Sequence, residues 1–155
     1  MDALHFIDDL ALRFKWVAYV LLFSGLASFA WFAADREPPF AVLSVEPAAA
    51  RAGEWITITA AVRRDVHRRC AASFSRYVYA ADGARYDLGD SFASADVIAD
   101  LERRMPGRLR VTVQLPKAMD AGPATLWTTL EYRCNKVHQW WPIEVETQMP
   151  FTVLP

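Results

Sequence analysis

The sequence predicts an N-terminal transmembrane α-helix followed by an all-β sandwich of about seven strands with one short helix. Three features point there: an uncharged apolar run over residues 16–34, a change from helical to alternating periodicity after Pro38-Pro39, and turn residues spaced between the alternating stretches. A length of 155 residues holds one modest domain plus an anchor and excludes a second catalytic domain. With 17 basic against 18 acidic side chains, a net charge of −1, the chain lacks the strongly basic footprint of a nucleic-acid binder.

The apolar run comes first. At ~1.5 Å rise per residue, residues 16–34 extend about 28 Å, close to the ~30 Å hydrocarbon core of a bilayer. Trp16 and Tyr19 near one end and Trp31 near the other occupy positions where amphipathic rings favour the headgroup level, with Arg13 and Lys15 before the run and Asp35-Arg36-Glu37 after it. Ser28-Phe29-Ala30 offers the small residues of a cleavage site, so a removed signal peptide is the competing reading; the run exceeds a usual signal core in length. Lys and Arg are almost balanced across the two ends and tip the N-terminus only slightly towards the cytoplasm. The expectation is a single-pass protein of the inner (cytoplasmic) membrane, N-terminus cytoplasmic, with the C-terminal domain periplasmic or otherwise extracytoplasmic.

Residues 1–15 carry Leu4, Ile7, Leu10 or Ala11, and Phe14 at helical spacing opposite Asp2, His5, Asp9 and Arg13, the pattern of an amphipathic cytoplasmic or interfacial lead-in. Ser24 and Ser28 form a small-xxx-small pair inside the span. Residues 35–39 are the linker, and 40–155 the domain.

Within the domain, strands are expected at 40–45, 55–62, 73–80, 86–92, 109–115, 126–132 and 151–153. The second is the clearest, with Ile56, Ile58, Ala60 and Val62 on one face and Thr57 and Thr59 on the other. Asp82-Gly83 marks a hairpin turn between the third and fourth. Ser94 caps a short helix through Arg104 with Val97, Ile98 and Leu101 inward, and Pro106-Gly107 stops it.

Tyr132-Arg133-Cys134 looks like the Tyr-x-Cys of an immunoglobulin sixth strand, and Leu115-Pro116 leading to Gly122 looks like its usual approach. Over roughly residues 38–155 the chain resembles a bacterial or phage immunoglobulin-like domain. It departs from antibody-type domains in that Cys70 follows the second strand's alternating stretch and the third strand has no core Trp. The resemblance implies an immunoglobulin-like β-sandwich and says little about function.

Cys70 and Cys134 are the only cysteines, and in an exported chain their default reading is one disulfide. His67, three residues before Cys70, and His138, four after Cys134, leave open a tetrahedral zinc or copper site, and unpaired thiols are the third alternative. In an immunoglobulin-like topology the connections holding the cysteines share one end. That end gathers Arg63, Arg64, Arg68, Arg69, Arg133 and Lys136, with Trp140 and Trp141 in the neighbouring loop. Because the first strand begins there, just past the span, these side chains are the candidate contacts to membrane lipid or to a membrane or envelope protein partner, each basic group near an anionic surface contributing on the order of 1 kcal/mol.

No phosphate loop, nucleophile elbow, His-Glu-x-x-His or calcium loop is present. Asp82, Asp87 and Asp90 fit turn-stabilising roles, and Asp96, Asp100 and Arg104 fit helix pairing. The expectation is a non-enzymatic binding or scaffolding accessory subunit of an envelope or phage-related membrane assembly, without cofactor, nucleic acid or small-molecule substrate. The alternative is a membrane-tethered metal-binding domain built on His67, Cys70, Cys134 and His138.

Overall fold

A computed structural model describes residues 3–65 and 67–155, with side chains from residue 13 onward. The chain divides into two compact units, Met1–Arg36 and Glu37–Pro155.

The first unit is one helix, α1 (Ala3–Ala34), unbroken because it contains no proline. Its segment Arg13–Ala34 is long and apolar enough to cross a membrane. Trp16, Leu21, Phe23 and Trp31 are between 66% and 76% exposed, a surface that water solvates poorly and a hydrocarbon phase would cover. Ser24 donates its hydroxyl to the Leu21 carbonyl at 3.0 Å, the local solution for a polar group on an apolar helix. The expected lead-in is backbone-continuous with the span; the side chains of Leu4, Ile7 and Leu10 that carry its apolar stripe, with Asp2, His5 and Asp9 opposite, lie outside the described residues.

The second unit has two sheets. In the first, β1 (Phe40–Val45), β3 (Trp55–Arg64) and β6 (Arg108–Gln114) pair antiparallel in the order β1-β3-β6. The second contains β2 (Ala49–Arg51), β4 (Ala71–Tyr79), β5 (Arg85–Ala93), β7 (Gly122–Arg133) and β8 (Ile143–Leu154) in the order β2-β8-β7-β4-β5. All its pairings are antiparallel except β2 with β8, and the sheet curls like half a barrel.

The alternation expected for β3 is present: Ile56, Ile58, Ala60 and Val62 are buried, the first two beside Val113 and Val111 of β6 in the same sheet, and all four share the core with inward residues of β7 and β8. Two strands exceed expectation. The three residues of β2 are too few to alternate legibly. In β8, twelve residues long, the inward Thr147 between Glu146 and Gln148 hides the period, and Pro150 reads as a breaker. In the sheet β2 pairs only from Thr152 to Leu154, leaving that side of β8 open at Pro150, the setting in which a strand tolerates a residue without an amide proton.

The Asp82-Gly83 turn closes the β4–β5 hairpin, with Asp82 Oδ1 accepting the Ala84 amide at 2.9 Å. Gly122 opens β7 at φ +143°, where an added Cβ would approach Ala81 Cβ to 3.0 Å, so no side chain fits.

The helix α2 (Ala95–Arg104) begins as expected, the Ser94 hydroxyl accepting the Val97 amide at 3.4 Å. Its packing corrects the expected inward stripe: Ile98 is half-buried, whereas Val97 is 51% exposed and Leu101 37%. Lying between β5 and β6 in the chain, α2 meets the sheets along a narrow line and is held by ionic contacts instead. Arg64, on β3, ion-pairs with Glu102, whose other oxygen accepts the Gly107 amide at 2.9 Å.

Candidate functional site: the disulfide end

Register fixes one end of the β unit. Phe40 at the start of β1 lies opposite Arg64 at the end of β3, Ala71 at the start of β4 opposite Arg133 at the end of β7, and Tyr132 opposite Ile143 at the start of β8. One residue beyond the Ala71–Arg133 pair, Cys70 and Cys134 form a disulfide spanning 64 positions. It joins neighbouring strands of one sheet at the end of their ladder, which accounts for the placement of Cys70 after the alternating stretch of β3.

The six basic residues and two tryptophans named above do lie on the strands and loops of this end. Many of their charges are already engaged. Arg64 is committed to Glu102 and, through its second nitrogen, to the Arg108 carbonyl at 2.9 Å. Arg133 bridges Ser73 Oγ at 2.7 Å and Glu131 at 2.8 Å. The Arg69–Asp96 pair at 2.8 Å is about four-fifths exposed on both sides and tethers the β3–β4 loop only lightly to α2. Arg68 donates to the Glu37 carbonyl, fastening the same loop to the linker. Arg63 and Lys136 are exposed.

The β7–β8 connection displays the apolar part of the site. A single 3-10 turn (Val137–Gln139) follows Cys134, and its His138 is fully buried, its backbone amide donating to Asn135 Oδ1 at 3.0 Å. With the loop base pinned this way, Trp140 stands 91% exposed and Trp141 57% exposed.

The metal alternative loses its ligands. Both sulfurs are spent on the disulfide, His138 is buried inside its own turn while His67 is exposed, and among the described residues no group of three or more His, Cys, Asp or Glu converges. The acidic clusters serve structure: Asp87 pairs with Arg85 at 3.0 Å, and Asp100 with Arg103 at 3.3 Å and Arg104 at 2.7 Å.

Tyr132 packs in the core beside the disulfide, and burial pushes its phenol far above the ordinary tyrosine range, with the nearby Arg64 charge opposing in part. The folded state therefore holds a proton that the unfolded chain releases near pH ~10, and stability falls as pH rises beyond that value. Alkaline unfolding followed by circular dichroism is expected to show that loss, and Tyr132→Phe to reduce it.

Two features escape linear reading. On the outer face of the larger sheet Tyr77 stacks on Trp127 at 6.0 Å and Tyr79 meets both rings edge-on, with Arg85 over Tyr77 at 4.0 Å; the alternation of Tyr77 and Tyr79 was the available signal. The second is a cavity of about 380 Å³ between the sheets, taken up below. No family model matches the chain, and no curated protein matches it.

Proposed function

We propose that the chain is a membrane-anchored accessory protein. In this reading α1 spans the cytoplasmic membrane and the β unit, an immunoglobulin-like sandwich on the extracytoplasmic side, scaffolds another membrane or envelope protein through its disulfide end. The observation that carries it is Trp140, 91% exposed on a loop whose base is fixed by the disulfide and by the buried His138. A large aromatic standing in solvent is the residue type that dominates binding energy when a partner covers it.

Supporting the sandwich reading, the orders β1-β3-β6 and β2-β8-β7-β4-β5 split the strands as immunoglobulin-like sheets do, with α2 at the chain position of a further strand. The disulfide supports export, since such bonds persist in oxidising compartments.

The test replaces Trp140 with a photo-crosslinking residue in the full-length protein in its native membranes. Discrete protein adducts are expected, and the pair Trp140→Ala, Trp141→Ala is expected to abolish co-purification of the same species while changing domain stability by less than about 0.5 kcal/mol. Adducts to lipid alone, or unchanged co-purification of the double variant, would contradict the scaffold reading.

A further inference from the structure

The inner face of the larger sheet should be apolar throughout, and it is interrupted by one polar row. Arg76 of β4, Thr128 of β7 and Thr147 of β8 lie directly opposite one another in register and separate the two apolar clusters of the core. This row borders the cavity of about 380 Å³, whose other walls are apolar at Phe40, Leu109 and, from α2, Ile98, and charged at Arg64, Asp65 and Arg69.

The row is chemically incomplete. Thr147 Oγ1 donates to the Thr128 carbonyl at 3.4 Å, but the Thr128 hydroxyl, on a residue only 4% exposed, has no hydrogen-bond partner. The Arg76 Nε–H is equally buried and unpaired. Its guanidinium reaches Ser91 Oγ at 3.3 Å and lies 5.4 Å from the Phe74 ring, with no ion pair to a carboxylate among the described residues. Burial lowers the Arg76 pKa by desolvation, the mark of a cation short of compensation. A buried donor and hydroxyl left unmet are costly, and Arg76, half-buried as a whole, adds a cation with no anion beside it. On the other side of Arg76 the partner residue is Gly89, at φ +87° beside a β-bulge that leaves Leu88 unmatched, so the directly opposed position contributes no side chain.

We propose that the cavity binds a medium-chain fatty acid, its carboxylate accepting from Arg76 Nε and the Thr128 hydroxyl and its alkyl chain lying against the apolar walls under α2. One carboxylate answers both unmet groups and supplies the missing negative charge, which a neutral ligand or a water does not. The volume limits the ligand. At about 380 Å³ it lies at the small end of ligand pockets, which favours one short alkyl chain over a two-chain lipid. No motif in the sequence announces such a site, because its polar groups sit on three separate strands.

The test uses the full-length protein reconstituted in nanodiscs and titrated with carboxyl-¹³C-labelled decanoate by NMR, with 1-decanol as the uncharged competitor. Saturable binding is expected, with decanol at least tenfold weaker. Arg76→Gln is expected to weaken decanoate at least tenfold. Thr128→Val removes an unpaired hydroxyl at constant shape, so it is expected to weaken decanoate several-fold without lowering the melting temperature, which separates binding from folding. Absence of saturable decanoate binding, meaning that water alone fills the cavity, would overturn the proposal. So would equal affinity for decanol, or undiminished decanoate binding by a folded Arg76→Gln or Thr128→Val variant.

Discussion

Replacing both Cys70 and Cys134 by alanine is expected to destabilise the β unit by about 4 kcal/mol and to lower its melting temperature by roughly 15 °C. The cysteines are 64 positions apart, so the bond closes a loop containing β4, β5, α2, β6 and β7. On the loop-entropy account, releasing a closure of that length returns that much free energy to the unfolded chain. For a domain of this size the loss is a large share of the total stability. The bond also terminates the β4–β7 ladder, so its removal frays the end that holds the Trp140 loop. Alanine avoids burying a hydroxyl at Cys70, which is 4% exposed. Thermal unfolding of the variant, beside wild type with and without reductant, measures the effect; a midpoint within about 3 °C of oxidised wild type would show that the bond constrains little.

The second large effect is expected at Glu102. Its ion pair with Arg64 is mostly withdrawn from water, the side chains being 19% and 8% exposed, and it fastens α2 to β3. Glu102→Ala leaves the Arg64 guanidinium buried with only the Arg108 carbonyl for company, and costs about 3 kcal/mol. The Gly107 amide, bonded to the other Glu102 oxygen, loses its acceptor at the same time. Because most of that cost is an orphaned charge, the double variant Arg64→Met, Glu102→Leu is expected to lose less than Glu102→Ala alone. Urea titrations of the three proteins decide it. Equal or greater loss in the double variant would mean that the pair itself, not desolvation of its survivor, stabilises the helix.

These two sites mark where linear reading succeeds and where it stops. β3 and β6 were legible because one face of each is buried and the other wetter, so alternation survives in the sequence. Likewise α2 carries its own punctuation in Ser94 and Gly107. The shared end of the cysteines followed from the order of the strands. Occupancy of the basic cluster did not follow, because Glu102 is 38 residues from Arg64 and Asp96 is 27 from Arg69, and only the packing of α2 brings them together. The cavity was hidden for a related reason: Arg76, Thr128 and Thr147 each resemble solvent-facing residues until three-strand register turns them inward. Val97 is the opposite case: helical spacing implies a core position, but the helix offers the sheets only a narrow stripe.

The most direct measurement of the central claim, an anchored domain exported with its staple formed, is alkylation of the full-length protein in intact cells with a membrane-permeant maleimide. Denaturation without reductant and a second, heavier alkylating agent follow, then intact mass. The account predicts that neither reagent adds and that both sites label only after reduction. Two adducts from either reagent before reduction would place the domain in a reducing compartment and contradict both the export and the scaffold reading built on it.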